Sequence, residues 1–173
     1  MFDLDQSSWQ DYDRSKLSEG GGIFSRQAKE IKLSPQIRAV SGVKIETVTP
    51  RELLRMILKA KVDLLWFGGI GSYLKGAVET DDEVGDNAND AIRTTSAEAG
   101  ARAVDERANL AVTHKGRIEF ANNGGRINTD FIDNSAGVNS SDMGGPMPNG
   151  DLTLAQRNEL LASFSEEVAE ACL

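Results

Sequence analysis

Val62-Asp63-Leu64-Leu65-Trp66-Phe67, running straight into Gly68, Gly69, Ile70 and Gly71, is the stretch whose reading decides the fold. A short apolar run interrupted by one Asp and delivered into glycines has the pattern of a buried strand entering a tight turn. Upstream, Thr49-Pro50-Arg51-Glu52 carries a capping hydroxyl, a proline at the first helical position and a Glu placed to close a capping box, which predicts a helix over 50–59. Leu53, Leu54, Ile57 and Leu58 recur at helical spacing and give it one apolar stripe to lay on a sheet. A connection of two or three residues then leads into the strand at Val62, a normal length between a helix and a strand. Helix and strand together predict half of a βαβ unit.

Two more polar segments follow the glycine turn, VDERANLAVTH (104–114) and IDNSAGVN (132–139), each placed after a stretch able to join the same layer. The expectation is an α/β fold built on an open, mostly parallel sheet. Loops at the carboxyl ends of its strands would converge on one crevice, where such sheets hold ligands. Asparagine occurs in both segments, as Asn109 and Asn134. A neutral amide donates and accepts together, as a carboxamide or a ribose hydroxyl requires of its partner. Both residues are also common in turns, where their amides bond their own backbone.

Around this centre the chain divides into an arm with a glycine-rich turn (1–33), an α/β half-domain (34–142), a linker (143–150) and a C-terminal helical segment (151–173). In the arm, Gly20, Gly21 and Gly22 precede a possible helix in IFSRQAKEIKL but lack phosphate-loop spacing, so they read as a hinge. Ser34-Pro35 opens a short helix to about Val40, ended by Gly42. Residues 76–101 are acidic and small, and read as a solvated loop leading into a helix near 88–93. Arg117 to Phe120 fits strand or helix. Ile127 to Ile132 alternates like a strand, with 133–138 as its exit loop. Thr153 and Gln156 open a final helix with Leu160, Leu161, Phe164 and Val168 on one stripe, divided near Ser165-Glu166-Glu167. His114 reads as a solvated loop residue.

Composition narrows the function classes. A net charge of −8 argues against a nucleic-acid surface, which needs a basic face. No run approaches the ~18 apolar residues of a membrane span, and Met1 to Asp13 is acidic and aromatic rather than a signal peptide. These features predict a cytoplasmic protein. One His and one Cys, Cys172, cannot assemble a Cys/His metal site or an internal disulfide. Seventeen glycines exceed the roughly 12 of average usage and suggest ligand-cradling turns.

The order of the segments SWQDYDRSKLSEGGGIFSR, VTPRELLRMILKAKVDLLWFGGIGSYLK, VGDNANDAIR, HKGRIEFANNGGRINTDFIDNSAGV and GDLTLAQRNELLASFSEEVA resembles the large bacterial NAD-specific glutamate dehydrogenases over nearly the whole chain. The resemblance implies a partial Rossmann-like, doubly wound sheet with flanking helices, from the latter half of the NAD-binding domain. It implies NAD as cofactor, and oxidative deamination of L-glutamate to 2-oxoglutarate and ammonia as the activity of the complete enzyme. Glu106, Ala108 and Asn109 match one nicotinamide-holding element, and Asn134, Ser135, Gly137 and Val138 resemble the other, with Gly68, Gly69 and Gly71 along the cofactor. The family's catalytic lysine and acid, its substrate domain and its first glycine fingerprint are not found in this chain, so no catalytic residue is assigned. The partners implied are the rest of a dehydrogenase polypeptide or a second copy, with no nucleic acid and no membrane. The sequence departs from the family where glycines stand at 105, 107 and 111: here they are Asp105, Arg107 and Ala111. Phe67 replaces an Asn, and His114 a neutral amide. A glycine lost from a left-handed position would strain that loop. The departures leave a second reading, a non-catalytic Rossmann-like interaction module.

Overall fold

The computed structural model describes residues 9–107, 109–136 and 153–172. Its centre is a parallel sheet of three strands, β3 (Leu64–Phe67), β6 (Ala103–Glu106) and β7 (Arg126–Ile127), in that spatial order. Register pairs Leu64 with Ala103 and Phe67 with Glu106, then Ala103 with Arg126 and Val104 with Ile127. The α/β class and the parallel, partly Rossmann-like sheet read from the sequence are therefore present.

Two smaller sheets flank it. β1 (Ile31–Lys32) pairs antiparallel with β2 (Thr47–Val48), and β4 (Leu74–Lys75) pairs parallel with β5 (Thr94–Thr95). Helix α1 (Pro35–Ser41) is capped by the Ser34 hydroxyl and closes on Gly42 in the left-handed region. Helix α2 (Pro50–Lys59) carries the full Thr49–Glu52 capping box, in which the reciprocal bonds satisfy end groups that the helix itself cannot. Leu53 and Leu58 of α2 are buried while Ile57 stays half exposed, so the stripe is narrower than its sequence suggests. The main core gathers Leu58, Phe67, Leu74, Val104, Ala111, Val112 and Phe120, and a second cluster joins Ile31, Leu33, Val48 and Leu53.

Several expectations are corrected. No helix covers 88–93: the acidic stretch instead forms α3 (Asp81–Val84), capped by Thr80 and Glu83 and ended by left-handed Gly85. Turns then bring Asp86 and Asp90 back to Arg93. Residues 23–30 hold turns leading into β1 rather than a helix after the triple glycine. Arg117 to Phe120, which fitted strand or helix, is helical, within α4 (His114–Asn122), whose N-cap is Thr113. His114 opens that helix, exposed, and is not a loop residue.

The strand expected over 127–132 stops at Ile127. Asp130 accepts from its neighbour's amide, Phe131 N, and opens α5 (Asp130–Asp133). Phe131 and Ile132 are consequently 64% and 51% exposed, so the alternation had no buried face to serve. The C-terminal segment divides as read, into α6 (Leu154–Ser163) behind a Thr153–Gln156 capping box and α7 (Ser165–Cys172). Val168 on its stripe is buried. The linker at 143–150 lies outside the described residues.

Candidate functional site

Because Phe67 and Glu106 face each other at the ends of parallel strands, the segments starting at Gly68 and Arg107 leave the sheet side by side. The register makes that proximity unavoidable. Past the glycines, Tyr73 N and Leu74 N both donate to the Ala111 carbonyl, at 2.8 and 3.1 Å, and Val112 bridges Leu74. The first and second loops are thus sewn together along their return paths.

The glycines differ in what they allow. A Cβ at Gly69 would meet nothing within 4 Å, whereas at Gly68 it would press on the Trp66 ring. Gly71 sits at φ 141°, and a side chain there would strike Tyr73 and Asn89. Only a residue without Cβ fits that turn. Gly68 and Gly69 line a cavity of about 260 Å³ with Trp66, Phe67, Tyr73 and Leu58, on the α2 side of the sheet. Neither Asn109 nor Asn134 lines it.

The two asparagines lie together elsewhere on the rim. Asn134, the C-cap of α5, donates from Nδ2 to Asn109 Oδ1 at 3.2 Å. That bond uses one donor of one amide and one lone pair of the other. The Asn109 amino group and the Asn134 carbonyl keep the capacity to meet a third group that both donates and accepts. Ser135 follows directly and is partly buried, and Ala108, Gly137 and Val138 lie outside the described residues.

Glu106, which the resemblance implies as a cofactor contact, is set into the loop. It is fully buried, its Oε1 accepts from Val112 N at 2.8 Å, and its Oε2 pairs with Arg117 Nη2 at 2.6 Å. It closes the loop from inside, bonding across the segment that carries Asn109. Burial holds its carboxyl above the usual range, against the pull of Arg117 and the Val112 amide. Burial and the neighbouring Asp133 likewise raise Asp105, while Asp133 accepts from Glu106 N at 3.0 Å.

The strain anticipated at Asp105, Arg107 or Ala111 is absent: among the described non-glycine residues the one positive φ is that of Leu110, at 67°. Left-handed backbone costs such a residue about 1–2 kcal/mol. Ala111 is wholly buried in the core, where its methyl packs rather than obstructs.

Sequence reasoning missed the supports of this rim. Arg93, 5% exposed, donates from Nε to the Ser72 carbonyl and from Nη2 to the Asp86 carbonyl, at 2.9 and 2.6 Å. Its Nη1 pairs with Asp81 and Asp90. Part of the acidic stretch therefore bonds a buried guanidinium, while Asp81 and Asp90 keep 42% and 37% of their side chains exposed. A signal existed, since Arg93 is the single basic residue between Glu79 and Glu98. Nothing in the spacing marks Leu110, Ser72 or Asp130.

A parallel α/β sheet whose loops converge at the carboxyl ends of the strands defines the Rossmann-like class. The model for the family described as "Bacterial NAD-glutamate dehydrogenase, catalytic domain" matches residues 1–173, and the chain belongs to that family. It is 49% identical over 181 residues to the NAD-specific glutamate dehydrogenase of Halomonas elongata. The proteins of the same name from Mycobacterium tuberculosis and Pseudomonas aeruginosa are 46% and 44% identical to it. Each match covers the whole of this chain, which spans only 11–12% of the length of these relatives.

Proposed function

We propose that this chain forms the nicotinamide side of the cofactor cleft in an NAD-dependent glutamate dehydrogenase, working within a longer cytoplasmic polypeptide. The observation that carries the reading is the Asn134–Asn109 amide pair at 3.2 Å on the rim of a parallel sheet. Its remaining donor and acceptor match a carboxamide, which itself presents one of each. Open space at Gly69 leaves room for a close approach to the backbone.

Bound NAD supplies a hydride acceptor at its nicotinamide ring. Asn109 and Asn134 bond the carboxamide or ribose and fix which ring face is presented, an orienting role. Gly68, Gly69, Gly71, Ser135 and Gly137 would hold the cofactor with them, and Glu106 braces the loop through Val112 and Arg117. The residues that bind L-glutamate and take its proton come from the remainder of the polypeptide. The ordinary φ of Asp105, Arg107 and Ala111 supports this reading.

The test is a fluorescence titration of the purified chain with NADH, alone and with Asn109→Ala or Asn134→Ala. Saturable binding weakened about fivefold by either change, the equivalent of one hydrogen bond, is the expected result. Binding untouched by both changes, or none at millimolar NADH, would favour the interaction-module reading.

A further inference from the structure

We infer that Ser72 and Asp130 act as a clamp that keeps Leu110 left-handed, and so positions the Asn109 amide for the cofactor. The inference rests on the nicotinamide-side reading above and adds three residues to it.

Leu110 is 67% exposed, so its side chain gains little from packing, yet its backbone stays at φ 67°. A left-handed leucine persists only where its surroundings over-determine it. Here its carbonyl accepts from the Ser72 hydroxyl at 2.7 Å, and its N–H donates to Asp130 Oδ2 at 3.2 Å. One bond comes from the loop after β3 and the other from the helix after β7. The residue adjoining Asn109 is thus held from both sides of the rim.

The clamp has firm foundations. Ser72 is itself fixed, its carbonyl by the Arg93 guanidinium at 2.9 Å and its N–H by Asp86 at 2.8 Å. Asp130 begins the same short helix, α5, that ends on Asn134. The circuit Leu110, Asp130, Asn134, Asn109 closes through the 3.2 Å amide pair, and Ser72 braces it at Leu110. Releasing Leu110 to ordinary φ would rotate the peptide next to Asn109 and carry its amide away from Asn134. Hydrogen-bond geometry tolerates little of that.

The test begins without cofactor, on the ¹⁵N-labelled chain, by following the side-chain amide signals of Asn109 and Asn134. Ser72→Ala and Asp130→Ala should each shift both signals, and Ser72→Thr, which keeps the hydroxyl, should restore them. Signals unmoved by Ser72→Ala and Asp130→Ala would overturn the clamp. NADH titration then gives the functional readout: Ser72→Ala should raise the dissociation constant about fivefold and Ser72→Thr should recover it. Should Asn109→Ala weaken NADH while Ser72→Ala does not, the clamp fails and the cofactor reading survives. Amide shifts without any effect of Asn109→Ala on NADH would instead sink the cofactor reading alone.

Discussion

Arg117 Nη2 reaches Glu106 Oε2 at 2.6 Å, where the glutamate side chain is 0% exposed and the arginine 13%. The carboxylate also accepts from the Val112 amide, so the pair joins the end of β6 to the start of α4. Removing one member leaves a buried charge without compensation, which costs about 3–5 kcal/mol. Arg117→Met should destabilise by that order in urea unfolding. Glu106→Gln combined with Arg117→Met should recover much of the loss, because the amide still accepts from Val112 and no charge remains. Equal damage from the single and double variants would contradict this account.

Glu98 titrates with consequences for stability. Lys59, whose Nζ lies 2.5 Å away, and the Thr94 hydroxyl hold its carboxyl down to about 2. A depressed carboxyl favours folding while ionised, so this contribution is full above the ordinary glutamate range near 4.5 and disappears as pH falls toward 2. Its side chain is 47% exposed, and solvent screening limits the pair to about 0.5–1 kcal/mol. The stability gap between the wild type and Glu98→Gln should be open at neutral pH and shut progressively below 4.5. A gap unchanged by acid would show that the charge is not its source.

The glycine surplus has a partly structural cause, testable at Gly100. A Cβ there would fall inside contact distance of the Lys59 and Ala60 carbonyls, where α2 ends. Those are backbone atoms and cannot swing aside. Gly100→Ala should cost about 1–3 kcal/mol through overpacking and lower the melting temperature. The same change at Gly69, with open space around it, should leave stability nearly unaltered.

How much was legible follows from the range of the forces involved. Thr49, Pro50 and Glu52 fix a helix start through bonds within one turn, so α2 could be read to the residue. The same holds for the Thr153 cap and for the halt at Gly42. Ile127 to Phe131 misled because strand alternation counts only where a neighbour covers one face, and β7 pairs with β6 at two positions alone. Asn109 and Asn134 were found as types, but their bond spans 25 residues of chain and depends on sheet register. Arg93 stood out as the lone basic residue of an acidic stretch, but its burial, like that of Arg117, depends on partners that only the fold gathers around it.

An uncovered strand supplies the last prediction. Among the described residues no strand pairs with the outer edge of β3, and Leu64 and Trp66 on it are 54% and 50% exposed. Beside them lies a cavity of about 470 Å³, lined by Leu53, Ile57, Val62, Leu64 and Leu65. A bare apolar edge is a template for another chain. In the isolated chain the expected occupant is a second copy, giving concentration-dependent association in sedimentation velocity. Trp66→Lys places a charge on that edge and should return the chain to monomer with its far-UV spectrum intact. A wild-type chain that sediments as a clean monomer at high micromolar concentration would mean that the edge is protected by contacts other than pairing.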